Sequence, residues 1–339
     1  MELLHVFNYL VIPVHRGTTG VHLFSILSLM KKFIKNCVLF FLLLLIAGEF
    51  VVRFTHAVSD IPRRTIDNTG IQKYFINQTG YWKGGDHKWK INELGWPGNL
   101  PSSFDKLITI IGDSYIENFM NPNECHQGPL LKKKMSDFNF MEAGRSGVSF
   151  IEAMEISKHL DTLQPLQTLI YVNDNDFYES ITEIKKMRDI TQLNLEKDQI
   201  IYGKMKSPGL KKVLYNWKLI YYFYNRYPIN FTNHNKENEI KKPELNKVLK
   251  FKNEILELFK FIKINYKTSN KTLIFHPKTN DYFIKLAEEH GFKTIVLDSS
   301  KDSKSWTFDY DSHWTCYGHN QVANQVKLGL NEHLKGKSQ

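Results

Sequence analysis

Cysteine is scarce in this sequence, and no metal-binding pattern accompanies it. The 339 residues contain three cysteines, with no CxxC pair and no Cys/His cluster of metal-ligand spacing. Protein zinc sites use such spacings, so we expect neither a metal nor a cofactor. Cys37 lies inside an apolar run, where a thiol behaves as a small apolar side chain. Cys125 and Cys316 are then the one pair that could form a disulfide, with free buried thiols as the alternative.

Dense basic blocks are missing as well, although the chain is positively charged. The formal net charge is +10, and the lysines are scattered, with only short runs such as 132–134. No nucleic-acid motif accompanies them, so we expect no nucleic-acid partner. A solvated basic surface is the simpler interpretation, and attraction to anionic lipid or an acidic polysaccharide is the alternative. Repeats and low-complexity tracts are absent, and an apolar fraction of 42% is typical of a chain with a packed core.

One long apolar run lies near the N-terminus. The segment "CVLFFLLLLIAG" (37–48) is uninterrupted, and the run continues past Glu49 to Val52. It is short for a spanning helix, which needs about 20 residues, but long enough for the apolar part of an export signal. Basic residues flank it unequally: Lys31, Lys32 and Lys35 precede it and Arg53 follows it. Four consecutive leucines between lysines do not suit a buried core helix.

The unequal charges predict how this run is oriented. Under the positive-inside rule, residues 1–35 are cytoplasmic, 36–53 form a transmembrane signal-anchor helix, and the rest is exported to the periplasmic or extracellular face. No convincing small-x-small cleavage site follows, because Leu45 and Ile46 occupy positions that should be small, so we expect an uncleaved anchor. Met30, followed by "KKFIKN", is typical of the start of such a signal, so residues 1–29 are a candidate for over-annotation.

The exported part changes character at about residue 106. Residues 54–105 are mixed in composition and read as a linker and N-terminal extension. From 106 to 335, short β-rich runs alternate with helical patterns, which predicts an α/β domain with a parallel sheet covered on both faces. The predicted strands are 106–111, 138–144, 168–173, 271–276 and 293–298. The predicted helices are 116–136, 150–162, 243–266, 280–290 and 317–334.

An insertion at about 178–242 interrupts this alternation. It is rich in Lys, Asn and Tyr, and its segment "VLYNWKLIYYFYNRYP" predicts one aromatic helix that ends at Pro228. Apolar residues surround this helix, which favours burial against the domain. A surface that stacks on sugars or rests on a membrane is the alternative.

The first predicted strand ends in a Gly-Asp-Ser corner. Ligands bind beyond the carboxyl ends of parallel strands, so this corner is a candidate site. Gly112 allows the tight turn, and Asp113 follows it. Ser114 would begin the next helix, where free N–H groups favour a developing oxyanion. The simpler interpretation of Ser114 alone is a helix N-cap.

Three further polar segments follow later strands. In "EAGRSGVSF", Gly144 or Gly147 could point its N–H at the same oxyanion. In "YVNDNDF", Asn and Asp either cap a helix or place an amide over a reacting carbonyl. Before the last helix, Asp311 and His313 stand two residues apart, so the carboxylate could orient the imidazole as a general base. His276, at the end of "KTLIFHP", is the competing base.

The order of these four segments resembles the SGNH/GDSL hydrolase superfamily, over residues 106–335. The spacing DxHxxxxGH (311–319) and the N-x-x-G in "NELGW" (92–96) are similar to those of membrane-anchored bacterial members. The last segment departs from the Asp-x-x-His of many members. The resemblance implies a three-layer α/β/α, flavodoxin-like sheet and acyl transfer by a serine.

Carried over position by position, the resemblance implies roles for individual residues. Ser114 is the nucleophile and its N–H the first oxyanion donor. Gly147 is the second donor and Asn175 the third, with Asn173 as its rival because Asn-Asp occurs twice in the segment. His313 and Asp311 are the base and its orienting carboxylate. A Cys125–Cys316 disulfide in an exported domain would brace the loop that carries the base.

Three functions remain open on the sequence. The first is an exported, membrane-anchored serine esterase or O-acetylesterase that acts on an acyl ester, such as a cell-surface glycan. The second is a polysaccharide O-acyltransferase on the same fold, working with an integral-membrane acyl donor. The third is a non-catalytic glycan-binding or assembly protein that uses the aromatic insertion.

Overall fold

The computed structural model describes residues 19–227, 248 and 250–335. Its strands are β1 (Arg64–Ile66), β2 (Gln72–Tyr74), β3 (Thr79–Tyr81), β4 (Lys88–Lys90), β5 (Leu107–Gly112), β6 (Asn139–Gly144), β7 (Gln167–Val172), β8 (Gln192–Asn194), β9 (Gln199–Ile201), β10 (Lys271–Phe275), β11 (Lys293–Val296), β12 (Thr307–Phe308) and β13 (Asp311–Trp314). The longer helices are Thr19–Phe54, Gln127–Lys134, Phe150–Leu160, Pro208–Asn216, Lys218–Arg226, Lys252–Asn265, Asp281–Glu289 and Cys316–Lys335. Short helical turns are Ser114–Glu117, Asn123–Cys125, Asp161–Leu163 and Asp174–Glu179.

The centre of the molecule is a five-stranded parallel sheet. Its spatial order is β6-β5-β7-β10-β11, and every neighbouring pair is parallel. Counted along the chain, these strands lie in the order 2-1-3-4-5, which is the flavodoxin-like arrangement. The sequence prediction of a flavodoxin-like α/β sheet is confirmed. In this arrangement the chain order reverses between β5 and β7, and ligands bind outside the carboxyl ends of the strands there.

Helices cover both faces of this sheet because its strands are apolar on both sides. On β5, Ile108 and Ile110 belong to one hydrophobic cluster, with Val322 of the C-terminal helix. Leu107 and Ile111 belong to the other, with Phe150. Each such side chain, fully buried, contributes roughly 1.5–3 kcal/mol to the stability of the fold. The result is three layers, with helices on either side of one sheet.

The predicted helix 116–136 is wrong in its extent. The chain instead forms the short helix Ser114–Glu117, an irregular segment, the turn Asn123–Cys125 and the helix Gln127–Lys134. Asn118 ends the first piece in a left-handed conformation, at φ 46°. Pro122 then takes an extended conformation before the 3₁₀ turn. A left-handed residue and an extended proline stop helix propagation, although the apolar spacing continues through them.

The insertion also differs from its prediction. It begins with the hairpin β8–β9 and continues as two helices, Pro208–Asn216 and Lys218–Arg226, separated at Trp217. Trp217 has φ −102° and ψ 95°, so the single helix predicted here is broken. Apart from Lys218, no residue of either helix is buried, so the expected burial against the domain is wrong. Pro228 lies outside the described residues.

The N-terminal helix is longer than the predicted anchor. It runs over Thr19–Phe54, and its part Ser28–Phe54 is long and apolar enough to cross a membrane. The apolar side chains that the structure describes here are mostly exposed, as they would be in lipid. The helix ends close to the boundary predicted at residue 53. Its start lies well before residue 36, because residues 19–35, which are mostly apolar with three lysines, are helical too.

Candidate active site

Ser114 stands at the carboxyl end of β5, on the first residue of a four-residue helix. Asp113 caps this helix, and its Oδ1 accepts the Tyr115 N–H at 3.0 Å. Gly112 makes the corner possible by lacking a side chain. A Cβ there would lie 2.6 Å from Cγ1 of Ile116 and 3.2 Å from Cβ of Tyr171. Two features therefore hold the serine at the edge of the sheet. They are the N-cap formed by Asp113 and the close packing of Ile116 and Tyr171 against Gly112.

His313 reaches Ser114 from 199 residues downstream. It lies on β13, and its Nε2 is 2.7 Å from Ser114 Oγ. Its Nδ1 contacts Asp311 Oδ1, which also accepts the His313 backbone N–H at 2.9 Å. With Nδ1 donating to the carboxylate, Nε2 is the acceptor for the serine proton. The structure thus brings together Ser114, His313 and Asp311 in the contacts that a serine nucleophile, a general base and an orienting carboxylate require.

The surroundings of this triad favour an ionised Asp311 and leave the site open to solvent. The hydrogen bonds from His313 hold the pKa of Asp311 below its ordinary value, so the carboxylate stays ionised. Tyr115 packs beside the imidazole, with ring centroids 4.8 Å apart, and its hydroxyl donates to the Ser312 carbonyl at 3.0 Å. The His313 and Asp311 side chains are 27% and 35% exposed, so an ester can reach them.

Two backbone N–H groups beside the serine are free to bind an oxyanion. Those of Ser114 and Gly147 have no acceptor among the residues that the structure describes. Gly147 lies in the loop after β6 at φ +77°, a conformation that favours glycine. Gly144 starts the same loop, and a Cβ there would lie 2.4 Å from the Glu117 nitrogen. The loop therefore lies close to the helix that begins at Ser114. The predicted oxyanion donors on the two segments, the N–H groups of Ser114 and Gly147, need this closeness to bind one oxygen atom together.

Glu117 holds the loop after β6 against the helix that begins at Ser114. The sequence analysis did not predict this role. Glu117 lies one turn after Ser114 and is 8% exposed. Its carboxylate accepts the Ser146 N–H at 2.8 Å, the Ser146 hydroxyl and the Tyr74 hydroxyl. Arg64 Nη2 lies 3.8 Å away. Since Ser146 precedes Gly147, this carboxylate holds the loop in which the Gly147 N–H lies. A glutamate on so short a helix is the only sequence signal, and it is weak.

The two asparagines after β7 occupy different positions. Asn173 caps the helix Asp174–Glu179, and its Oδ1 accepts the Asn175 N–H at 2.9 Å. Its Nδ2 donates to Asp113 Oδ2 at 3.3 Å, so its amide is engaged by the carboxylate next to Ser114. Asn175 is exposed. The Asp113 contact uses one of the two hydrogens of the Asn173 amide and places that amide beside Ser114, so Asn173 and Asn175 both stay candidates for the third oxyanion donor.

Two carboxyl groups behind the serine have raised pKa values. Burial raises the pKa of Asp113 to about 6, with the negative charge of Glu117 adding to the effect. Burial, together with the charge of Asp113, raises the pKa of Asp176 well above its ordinary value. The Asp176 carboxyl accepts the Asn173 N–H at 2.8 Å. Reduced negative charge at this place favours the formation of an oxyanion nearby.

His276, the competing base, does not contact Ser114. Its ring is buried between Tyr115 and Trp314, with centroids 4.4 and 4.6 Å away. Burial lowers its pKa to about 3, and the neighbouring His313 adds to this, so the ring is neutral at ordinary pH. The His276 ring therefore packs as an aromatic group between Tyr115 and Trp314. No group of three or more His, Cys, Asp or Glu side chains in the described ranges is arranged to hold a metal ion.

Beside the triad lies a cavity of about 340 Å³. Its wall includes Tyr115, Ser312 and Trp314, which are the sequence neighbours of Ser114 and His313. The remaining wall has three charged side chains (Lys278, Asp302 and Lys304) and three hydroxyl side chains (Ser299, Ser305 and Thr307), beside His276, Pro277 and Trp306. Such a lining suits a hydroxyl-rich or anionic group better than a long alkyl chain.

Cys125 and Cys316 are joined by a disulfide. The bond connects the turn Asn123–Cys125 to the first residue of the C-terminal helix, three residues after His313. It therefore ties the segment that carries the base to the segment that follows the serine helix. Cys37 is free and exposed on the N-terminal helix.

Removing this disulfide should destabilise the fold. Replacing both cysteines (Cys125→Ser with Cys316→Ser) releases a loop spanning 191 positions in the unfolded chain. Loop-closure entropy then gives a loss of about 4–5 kcal/mol in the free energy of unfolding. Denaturant titration under oxidising conditions measures this. The control Cys37→Ser should leave the midpoint unchanged, and alkylation of all three thiols without reductant would contradict the bond.

Comparison with known proteins finds similarity in solved structures alone. No family model matches the chain, and no curated protein matches it. The psychrotrophic esterase EstA from Pseudoalteromonas sp., inhibited by monoethylphosphonate, aligns at 13% identity and a TM-score of 0.37, over 68% of this chain and 100% of that one. A putative lipolytic protein of the G-D-S-L family from Desulfitobacterium hafniense DCB-2 aligns at 11% identity and a TM-score of 0.32, over 66% of this chain and 99% of that one.

A third neighbour is a lipolytic protein of the G-D-S-L family from Veillonella parvula DSM 2008. It aligns at 12% identity and a TM-score of 0.33, over 65% of this chain and 95% of that one. Superpositions this loose carry no functional detail, so a function for this chain has to come from its own site. The structural neighbours of this chain are thus G-D-S-L lipolytic proteins and an esterase.

Proposed function

We propose that this protein is a serine esterase of the SGNH/GDSL type, anchored in a membrane by its N-terminal helix. The observation that carries the proposal is the 2.7 Å contact between Ser114 Oγ and His313 Nε2, with Asp311 on the other nitrogen of the ring. A serine and a histidine 199 positions apart meet at the carboxyl edge of the sheet, where an open α/β fold binds its ligands. An esterase needs this pair and a nearby set of oxyanion donors.

In the proposed mechanism, His313 removes the Ser114 proton as Oγ attacks the ester carbonyl. The N–H groups of Ser114 and Gly147 and an asparagine side-chain amide, from Asn175 or its rival Asn173, then hold the tetrahedral oxyanion. Each such donor lowers the barrier by about 3 kcal/mol. The imidazolium returns its proton to the departing alcohol, which leaves an acyl-serine. Water, deprotonated by the same histidine, releases the carboxylic acid and restores the hydroxyl.

Export of this domain is supported by two independent features. Lys31, Lys32 and Lys35 closely precede the apolar run 37–52, whereas Arg53 alone follows it at a similar distance, which favours a cytoplasmic N-terminus. The disulfide between Cys125 and Cys316 lies in the part that follows the helix, and such bonds persist in oxidising compartments. We propose that residues 54–335 function on the periplasmic or extracellular face.

The polar cavity beside His313 favours a glycan ester as substrate. Sugar hydroxyls can hydrogen-bond to Ser299 and Ser305, and Lys278 and Lys304 can pair with acidic sugars. A small acyl group such as acetyl suits the triad because the described cavity is mostly polar. The same cavity favours one second function: an acceptor sugar held there could replace water, which would make the protein a polysaccharide O-acyltransferase served by a membrane acyl donor.

Product analysis separates these two functions. The full chain in detergent is incubated with p-nitrophenyl acetate, with and without an acceptor oligosaccharide, and acetate and acetylated sugar are measured by mass spectrometry. We expect one acetate for each p-nitrophenol, unchanged by the sugar, because water can reach the half-exposed triad. Transfer of the acetyl group to the sugar would instead identify the transferase. No release of p-nitrophenol would contradict both and leave the non-catalytic glycan-binding alternative.

A further inference from the structure

The two helices of the insertion carry an exposed apolar stripe. Its residues recur every three or four positions, which places them along one side of each helix: Leu210, Val213, Trp217, Ile220, Tyr224 and Tyr227. Each is between 44% and 67% exposed, and Phe223 beside them is 51% exposed. An amphipathic stripe of this kind normally faces a core. Here it faces outward, although it consists of large aliphatic and aromatic side chains.

This helix pair is bound to the end of the N-terminal helix. Glu49 Oε1 accepts the Lys218 N–H at 3.0 Å, and Oε2 accepts the Leu219 N–H at 2.7 Å. Arg53 pairs with the same carboxylate at 2.6 Å and donates to the Asn216 carbonyl. The ion pair of Glu49 and Arg53, in which the carboxylate is partly buried and the guanidinium half-exposed, thus satisfies the start of the second helix and the end of the first.

Apolar packing reinforces this attachment. Leu219 lies against Gly48, where an added Cβ would meet Leu219 Cδ2 at 3.1 Å. Lys218 is buried and pairs with Asp60 at 2.7 Å, just beyond the end of the N-terminal helix. The helix pair is therefore fixed to the last two turns of the helix Ser28–Phe54. If that helix spans a bilayer, its last turns lie at the headgroups, because its 27 residues rise about 40 Å, which is roughly the thickness of the hydrocarbon together with both headgroup layers.

The charge of the segment points to the same surface. Residues 199–227 contain six basic side chains and no acidic one: Lys204, Lys206, Lys211, Lys212, Lys218 and Arg226. Apart from the buried Lys218, these side chains are exposed or half-exposed. Aromatic side chains together with lysines are the composition of helices that lie in the membrane interface. Each exposed Lys or Arg near an anionic surface adds to the electrostatic attraction.

We propose that the helix pair 208–227 lies in the interface of the bilayer that the N-terminal helix spans, with its apolar stripe among the acyl chains and its basic residues at anionic headgroups. The stripe then continues the exposed apolar surface of the spanning helix at its exported end. The single attachment at Glu49 and Arg53 would hold both elements at one depth. This gives the catalytic domain two contacts with the membrane and limits its rotation about the anchor. The inference rests on the membrane anchoring in the proposed function.

Spin labels on the full chain test this placement. In a Cys37→Ser background, single cysteines are introduced by Phe223→Cys and, at a second stripe position, Leu210→Cys. Each protein is labelled with a nitroxide and placed in nanodiscs of phosphatidylethanolamine and phosphatidylglycerol. Accessibility to oxygen, which concentrates in lipid, and to a water-soluble nickel chelate is measured by power saturation. We expect the oxygen-to-nickel ratio at both positions to be several-fold higher than at a water-exposed position.

Two further labels serve as references. Ile264→Cys is the water control, because Ile264 is 82% exposed on the helix Lys252–Asn265, outside the insertion. Leu42→Cys reports whether the N-terminal helix itself is in lipid. If the stripe labels have the same oxygen-to-nickel ratio as the label at Ile264, while the label at Leu42 is in lipid, the inference is overturned but the membrane anchor stands. Low accessibility to both reagents at the stripe overturns it in favour of a protein contact, such as a second copy. A water-exposed Leu42 overturns the anchor and the inference together, whereas ester hydrolysis is tested separately.

Discussion

Ser114→Ala should abolish ester hydrolysis while leaving the fold intact. We expect kcat to fall by about 10⁴- to 10⁶-fold, the range in which removal of a serine nucleophile leaves only binding and oxyanion stabilisation. The reason is that Ser114 Oγ is the hydroxyl that His313 Nε2 contacts, at 2.7 Å. The loss should appear in kcat and kcat/KM alike, because the hydroxyl reacts but contributes little to binding of the ester. Hydrolysis of p-nitrophenyl acetate by the full chain in detergent measures it.

A fluorophosphonate probe provides the second readout for this substitution. It forms a covalent bond with an activated serine, so labelling should disappear in Ser114→Ala and persist in the control Ser303→Ala. Ser303 is an exposed serine that takes no part in the triad. Labelling that survives in Ser114→Ala would assign the nucleophile to another residue. Unchanged thermal unfolding of the variant would show that lost activity is not lost structure.

His313→Ala should cost nearly as much as the loss of the serine, and the two losses should not add. Both groups take part in one proton transfer, so either substitution alone removes it. We therefore expect Ser114→Ala with His313→Ala to be no slower than Ser114→Ala by itself, within about tenfold. Full additivity in the double variant would mean that the two residues act independently, and the proposed mechanism would be wrong.

His276→Phe is the matched control for this histidine. Phenylalanine keeps a flat ring between Tyr115 and Trp314 but has no nitrogen that could accept a proton. Since burial lowers the pKa of His276 to about 3 and the ring does not contact Ser114, we expect far smaller losses than from His313→Ala. If His276→Phe were the more damaging variant, His276 would be the base.

Local patterns in the sequence were sufficient to predict the central sheet. Each of its strands is a short apolar run bounded by polar or turn residues, and burial on both faces removes any need for alternation. The prediction placed all five within about two residues of their observed ends. It failed for the helix 116–136, because Asn118 adopts a left-handed conformation that apolar spacing does not reveal. For the same reason, the sequence predicted one helix in the insertion, where the structure has two helices separated at Trp217.

For the site, the order of the four segments predicted which residues to examine but not their mutual contacts. Gly-Asp-Ser after a strand and Asp-x-His before a helix are local patterns, and parallel strands bring their ends to one edge. Glu117 was missed because its importance depends on Ser146 and Tyr74, which are distant in sequence. Asn173 could be compared with Asn175 only after its contact with Asp113 was visible.

The sequence by itself determined the apolar N-terminal helix, the alternation of strands and helices, and the chemical groups available at the strand ends, because these follow from periodicity and composition over a few neighbouring residues. Only the tertiary structure decided that His313 rather than His276 meets Ser114, that Glu117 supports the loop of Gly147, and that the aromatic helices face outward. Those outcomes depend on contacts between segments 30 to 200 positions apart. Such contacts arise from packing of the whole chain, which no local pattern encodes.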